Sequence, residues 1–380
     1  MSIGIAEAAF RILRPGKDLH PDYPFDPHYH HRLAPDTSFH QRTEEFDVTS
    51  TTNHLSLRGS ADIGPKVPGV RRILMLGDSF TFGVGVQDDQ TFCAVLQRAL
   101  EARQARVEIV NAGMGSYSPI LHYLTLRDLY LPLKPDAVIL WFDFSDLQDD
   151  FLYARRLLYD AHGQPVACNR HYLDGRWDWG LWLLEHSALA AYLYKRIVPT
   201  VDRLRILGVR EYLRVKRSGQ RTKTAVINVS GERRTREDLL AYDRYLMIRD
   251  RAALPEIERH WQLTGDYILR MRDLLREHGV PFVLAVYPYG VQVGPNQWAR
   301  GRQPYGFEPG RTYDDPFPFE LLETFARQHD IPFINTWPWF LAAKDQPLFY
   351  DWDGHFTATA HRLVADQLLD EPAFRKLLVR

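Results

Sequence analysis

A short apolar run, Ile73-Leu74-Met75-Leu76, ends abruptly in Gly77-Asp78-Ser79 and the loop Phe80-Thr81-Phe82-Gly83. Near the other end, Tyr350-Asp351-Trp352-Asp353-Gly354-His355 runs directly into an amphipathic stretch. A serine hydroxyl is a weak nucleophile and needs a base to accept its proton. Histidine titrates near neutrality and suits that role. A carboxylate on the other ring nitrogen fixes the tautomer and stabilises the imidazolium. Ser79, His355 and Asp353 therefore have the residue types for acyl transfer through a serine, with Asp351 as the reserve acid. Singly, Gly-Asp-Ser reads as a turn and Asp-x-His as a loop pair. Together they read as chemistry.

The elements that must position these groups follow from periodicity. Apolar runs predict strands over 72–77, 106–110, 136–142, 281–287 and 332–335. Between them, Thr91 to Arg103, Ile120 to Leu131 and Trp261 to His278 repeat apolar residues at helical spacing. Thr357 is a plausible N-cap for a last helix. Continuous apolar strands alternating with amphipathic helices predict an α/β fold with a parallel sheet covered on both faces. The carboxyl edge of such a sheet is where ligands bind, and Ser79 falls there.

Two segments break the rhythm. Residues 1–70 read as a short helix stopped at Pro15, then an extended arm packing on the body. The arm's histidines (His20, His28, His30, His31, His40) lack a ligand spacing with Cys or Glu, so no metal is expected. Within the long interval between the third and fourth strands, 151–255 reads as a helical insertion or partial cap. It carries Trp177, Trp179 and Trp182, a helical pattern over 186–198 and a basic run over 203–223 that reads as a solvated face. His361, one turn into the last helix, reads as a packing or capping residue.

Across 380 residues, 47 basic and 48 acidic side chains nearly cancel, leaving a formal charge of -1. That balance gives no reason to expect a nucleic-acid partner. Cys93 and Cys168 make neither a disulfide framework nor a metal site. No apolar run approaches a membrane span, and the N-terminus makes a poor signal peptide, so a cytoplasmic location and no transmembrane segment are expected, with membrane association or export the alternative should the start be truncated. Serine chemistry requires no cofactor, and none is expected.

With Gly77-Asp78-Ser79, the following Phe-Thr-Phe-Gly and the late Asp-Gly-His, the chain resembles the SGNH/GDSL hydrolase superfamily. The resemblance runs from about Asn53 to the end, apart from the insertion. Asn53-His-Leu-Ser-Leu-Arg58-Gly59 also looks like a lead-in of larger bacterial members. The resemblance implies a three-layer α/β/α sandwich with a flavodoxin-like sheet over 71–380. It makes Ser79 the nucleophile, His355 the base and Asp353 the orienting acid. In the second block, Val110-Asn111-Ala112-Gly113-Met114-Gly115-Ser116-Tyr117, Ser116 falls where a glycine amide enters the oxyanion hole. In the third, Phe142-Asp143-Phe144-Ser145-Asp146, Ser145 falls at the usual asparagine. The implied oxyanion donors are thus Ser79, Ser116 and Ser145. The common acid position, three before the histidine, holds Trp352; Asp353 stands two before, as in members that acetylate polysaccharides.

Tyr287-Pro288-Tyr289 ends the fourth strand and is expected at the rim, with Gln292, Trp298 and Arg302 in the next loop. Tyr289, Gln292, Trp298 and Arg302 are the expected substrate-binding set, suited to sugar stacking. The function expected is a serine esterase acting on a small acyl ester, with carbohydrate O-acetyl favoured. The alternatives are an O-acyltransferase to a sugar hydroxyl and a catalytically impaired carbohydrate-binding relative.

Overall fold

The computed structural model describes residues 24–187, 189–190, 192–193, 245–249 and 254–379. They fall into two compact units, one from Arg32–Tyr153 with Arg244–Arg380, the other from the described parts of Met1–His31 and Ala154–Asp243.

The first unit opens with an antiparallel hairpin in the arm, β1 (Ser38–Arg42) and β2 (Asp47–Thr51). Each apolar run then becomes a strand: β3 (Arg71–Gly77), β4 (Val107–Gly113), β5 (Ala137–Phe142), β6 (Phe282–Val286) and β7 (Phe333–Asn335). They pair in the order β7-β6-β5-β3-β4, all parallel. In strand order this is 5-4-3-1-2, the doubly wound arrangement whose switch point lies between β3 and β5. Every residue of β5 and β6 is buried, as both faces of such a sheet must be.

The helices around the sheet include α1 (Ser79–Phe82), α2 (Phe92–Ala102), α3 (Pro119–Thr125), α4 (Asp146–Ala154), α5 (Leu254–Glu277), α6 (Phe317–Gln328), α7 (Trp337–Ala342) and α8 (Ala358–Leu368). Two neighbours on β5 show how they layer. Successive strand side chains point to opposite faces. Trp141 meets Phe92 of α2 with ring centroids 4.9 Å apart, while Phe142 meets Trp261 of α5 at 5.9 Å. Hence α2 and α5 lie on opposite faces, and α8 packs with α2 while α3 packs with α5. The sandwich has three layers.

Local signals account for most ends. Thr91 and Thr357 cap α2 and α8 by accepting the amides of Ala94 and Ala360. His361 is fully buried and its Nδ1 accepts the amide of Phe92, tying α8 to the start of α2. The helix expected over 120–131 ends early: α3 stops at Thr125 and gives way to a π turn and a 3-10 turn. Pro132 has no amide to continue the ladder, and the Thr125 hydroxyl bonds back to the Leu121 carbonyl at 2.9 Å.

In the second unit, Leu157–Tyr159 pairs with Pro165–Cys168, and Asp178 caps the helix Trp179–His186. The insertion read as helical therefore begins with short strands, turned around Asp160-Ala161-His162-Gly163, where the Asp160 carboxylate accepts the amides of His162 and Gln164. The helix expected before Pro15 and the basic run 203–223 lie outside the described residues, as does most of 186–198. Among the described residues no helix is long and apolar enough to cross a membrane.

Trp141 is fully buried under the site, stacked on Tyr287 at 6.1 Å, and its indole N–H has no partner. Trp141→Ala is expected to lower stability by about 3 kcal/mol in urea denaturation, the low end for large-to-small core changes, because an unsatisfied donor leaves with the ring. A loss under about 1 kcal/mol would contradict this packing.

Candidate active site

Strand β3 ends at Gly77, and the chain turns at once. Asp78 caps α1, its carboxylate accepting the Phe80 amide at 2.9 Å, so Ser79 is the first helical residue. The loop behind it is pinned by Arg58 from the arm. Its guanidinium pairs with Asp88 at 2.6 Å, donates to the Val86 carbonyl at 2.8 Å and lies over the Phe82 ring at 4.5 Å.

His355 arrives from the loop before α8. The isolated bridge between Phe349 and Phe356 closes this loop, and the Tyr350 amide donates to the His355 carbonyl at 2.9 Å. Gly354 makes the turn at a φ of 89°, a conformation that glycine adopts without strain. His355 Nε2 lies 2.8 Å from Ser79 Oγ, and its Nδ1 lies 2.5 Å from Asp353 Oδ1. The structure thus brings the three expected residues into one chain of hydrogen bonds. Asp351 goes elsewhere, pairing with Arg300 at 2.9 Å, so the reserve acid does not reach the histidine.

The side chains of His355 and Asp353 are only 24% and 27% exposed. Burial disfavours the imidazolium, but the Asp353 charge and hydrogen bond, helped by Asp78 and Asp143, outweigh it and raise His355 above its usual range. Asp353 shows the converse. Burial pushes it up, yet its partner His355 holds it below the ordinary carboxylate value.

The acid–histidine loop is gripped from two sides. The Glu45 carboxylate, at the β1–β2 turn, accepts the backbone amides of Asp351, Trp352 and Asp353 at 2.6, 3.0 and 2.8 Å. Opposite, the amides of Arg300 and Gly301 donate to the Asp351 carbonyl. A Cβ on Gly301 would sit 1.9 Å from the Trp352 carbonyl oxygen, so only glycine admits this approach.

Beneath Ser79 lies a set of buried acids and phenols. The Tyr287 hydroxyl donates to Asp78, and the Tyr289 hydroxyl lies 2.7 and 2.8 Å from the Asp143 oxygens. Burial first, then the charge of Asp143, raises Asp78 well above the carboxylate range. Burial likewise raises Asp146 and pushes Asp150 up to about 7.

Of the expected oxyanion residues, Ser116 adopts a φ of 59°, the left-handed region a glycine would favour, and its carbonyl accepts from Tyr153 at 2.8 Å. Ser145 is buried. Its amide donates to Asp143. The expected rim set is placed otherwise. Tyr289, Gln292, Trp298 and Arg302 are all buried, at 6, 0, 2 and 0% exposure. Arg302 donates to the carbonyls of Gly294, Trp298 and Arg311 and folds its own loop, while Gln292 caps the Tyr289 amide. Tyr287 turns inward as well, because β6 ends one residue before it and its hydroxyl finds Asp78. The aromatic surface exposed beside the pair is instead Trp352, at 54%.

Sequence reading missed Glu45 and the pairing of Asp143 with Asp78. Glu45 carries no local signal. Asp143 carried one: like Asp78, it is an acid directly following an apolar strand end.

A GDSL-like lipase/acylhydrolase family model matches residues 75–363. No curated protein sequence matches significantly. Solved structures similar to this one include an acetyl xylan esterase, 13% identical over 79% of this chain and 98% of that one, with a TM-score of 0.38. Esterase EstA from Pseudoalteromonas sp. is 11% identical over 81% and 98%, TM-score 0.38. A lipase/acylhydrolase from Enterococcus faecalis is 13% identical over 80% and 97%, TM-score 0.35.

An NMR titration of His355 is expected to show an inflection above the ordinary 6.5. In Asp353→Asn the main raising influence is gone and the inflection moves below the wild-type one. The linkage has a definite sign. A raised folded value gives stability that is complete below the unfolded histidine range and is lost as pH rises through the folded value. A wild-type inflection below that of an exposed histidine would overturn the pairing.

Proposed function

Because the chain belongs to the GDSL-like lipase/acylhydrolase family, we propose that it is a serine esterase that cleaves small acyl esters through an acyl-enzyme on Ser79. The observation that carries this is the unbroken Ser79–His355–Asp353 chain at 2.8 and 2.5 Å. Ser79 Oγ attacks the acyl carbonyl carbon as its proton passes to His355 Nε2, and Asp353 holds the imidazolium that forms. The tetrahedral oxyanion collapses, and the alcohol leaves with the proton from His355. Water then repeats the steps and releases the acid. The amides of Ser79 and Ser116 and the Ser145 hydroxyl are assigned to the oxyanion. One such donor is worth about 2.7–4 kcal/mol of transition-state stabilisation.

Carbohydrate O-acetyl is the favoured ester. With the earlier rim set buried, its support is Trp352, exposed next to Asp353, with the Arg300 guanidinium 5.8 Å from its ring centroid. A flat aromatic face flanked by a charged group suits a sugar ring. The second reading is transfer of the acyl group to a sugar hydroxyl. It draws on the acid two positions before the histidine, an arrangement the chain uses in full.

Wild-type protein is expected to label with a fluorophosphonate and to turn over p-nitrophenyl acetate. Ser79→Ala abolishes both, and Asp353→Asn lowers kcat by roughly 10³–10⁴-fold while Asp351→Asn stays within a few-fold. No serine-dependent labelling or turnover would leave the impaired carbohydrate-binding reading. With acetylated sugars, Trp352→Ala is expected to raise KM without changing p-nitrophenyl acetate kinetics; an equal effect on both would remove the sugar assignment. Transfer to added sugar acceptors exceeding hydrolysis would put the acyltransferase first.

A further inference from the structure

Glu45 stands 306 residues before Asp351 in sequence, yet one carboxylate takes the amides of three consecutive residues, the last being Asp353 itself. Two amides fall to Oε1 and one to Oε2, so both oxygens are used. Converging backbone amides form a concave anion site, and here the anion is supplied by the chain. The arm around Glu45 is built to hold it there. The Thr43 hydroxyl accepts the amides of Glu45 and Phe46 at 3.1 and 3.2 Å and fixes the turn. The Phe46 ring packs on Tyr350 at 5.1 Å, and Tyr350 donates to the Gly85 carbonyl at 2.7 Å. Further along β2, Thr51 bonds Asp88 through its amide and its hydroxyl. The same hairpin therefore touches the loop after the serine and the loop carrying the acid and the base.

We propose that Glu45 is a positioning residue: its carboxylate fixes the backbone of Asp351–Asp353, and through it the direction of the Asp353 carboxylate toward His355 Nδ1. This rests on the role proposed above for Ser79, His355 and Asp353. An Asp-x-His loop turning on a glycine has little stiffness of its own, and a displacement of about 1 Å at such a site can cost on the order of 100-fold in rate. Charge-assisted bonds to three successive amides remove that freedom from outside the loop.

The test compares wild type with Glu45→Ala and Glu45→Gln. Four readouts are taken: p-nitrophenyl acetate kinetics, the low-field proton resonance of His355 Nδ1–H, hydrogen exchange of the 351–353 amides, and the thermal midpoint. In Glu45→Ala, kcat is expected to fall about tenfold or more with KM within about twofold, since the lost ordering acts on the chemical step. The low-field resonance broadens or vanishes, and the three amides exchange at least about tenfold faster. Glu45→Gln keeps one acceptor oxygen and places a donor against the remaining amide or amides, so it lies between wild type and Ala in all three. The midpoint stays within a few degrees, as for other half-exposed positions. Wild-type kcat and an unchanged resonance in Glu45→Ala would overturn the proposal, as would an activity loss seen only where the protein has globally unfolded. If wild-type turnover does not depend on Ser79, the reading of function fails by itself. The resonance and the amide exchange still decide whether Glu45 positions Asp353.

Discussion

A 2.8 Å contact between Ser79 and His355, residues 276 positions apart, is the interaction on which this molecule turns. Neither loop can supply it alone. Both must leave the same edge of one sheet, the nucleophile loop directly after β3 and the histidine loop after β7 and α7. The doubly wound order puts β3 next to the central β5, at the switch point where chain crossings on either side leave a crevice. The layers serve that edge. Trp141 wedges between Phe92 and Tyr287, and His361 ties α8, which follows the histidine loop, to the start of α2, which follows the serine loop. Helix packing therefore sets the distance between the two loops.

Carboxylates surround this contact, and they are kept unequal. Asp353 stays charged because it faces an imidazole. Asp78, a few ångströms away on the other side of the serine, is buried beside Asp143, and burial raises it well above the carboxylate range. Two ionised acids there would cost far more than one. The phenols of Tyr287 and Tyr289 close the remaining valences of the pair. Negative charge beneath the serine adds a smaller share to the raising of His355, of which Asp353 is the main source.

Periodicity located all five strands of the central sheet, because β5 and β6 are apolar on both faces, though β4 runs on to Gly113, three residues beyond its expected end. The caps at Thr91 and Thr357 were equally legible, while α5 begins at Leu254, seven residues before its expected start. Ser79, His355 and Asp353 could be read because their types are rare in such places and their flanking elements are regular. Asp353 over Asp351 needed coordinates: both are acids on one loop, and Arg300, 51 residues before Asp351, decides between them. Aromatics near a strand end were misread as rim, since burial of Tyr289 and Trp298 depends on a loop that Arg302 folds by donating to carbonyls, a pattern with no sequence signature. Glu45 was invisible for the plainest reason. It binds backbone, and a backbone amide is the same in every residue.

Glu45 and the loop it holds stand 306 residues apart, with Ser79 between them in sequence. In the order of synthesis the serine comes first, on a strand whose partner β4 follows it closely. His355 and Asp353 are added more than 270 residues later. The clamp closes only when both of its parts have been made, across a sheet already assembled. A chain that has not yet reached residue 355 carries Ser79 as an ordinary hydroxyl, with no imidazole to take its proton.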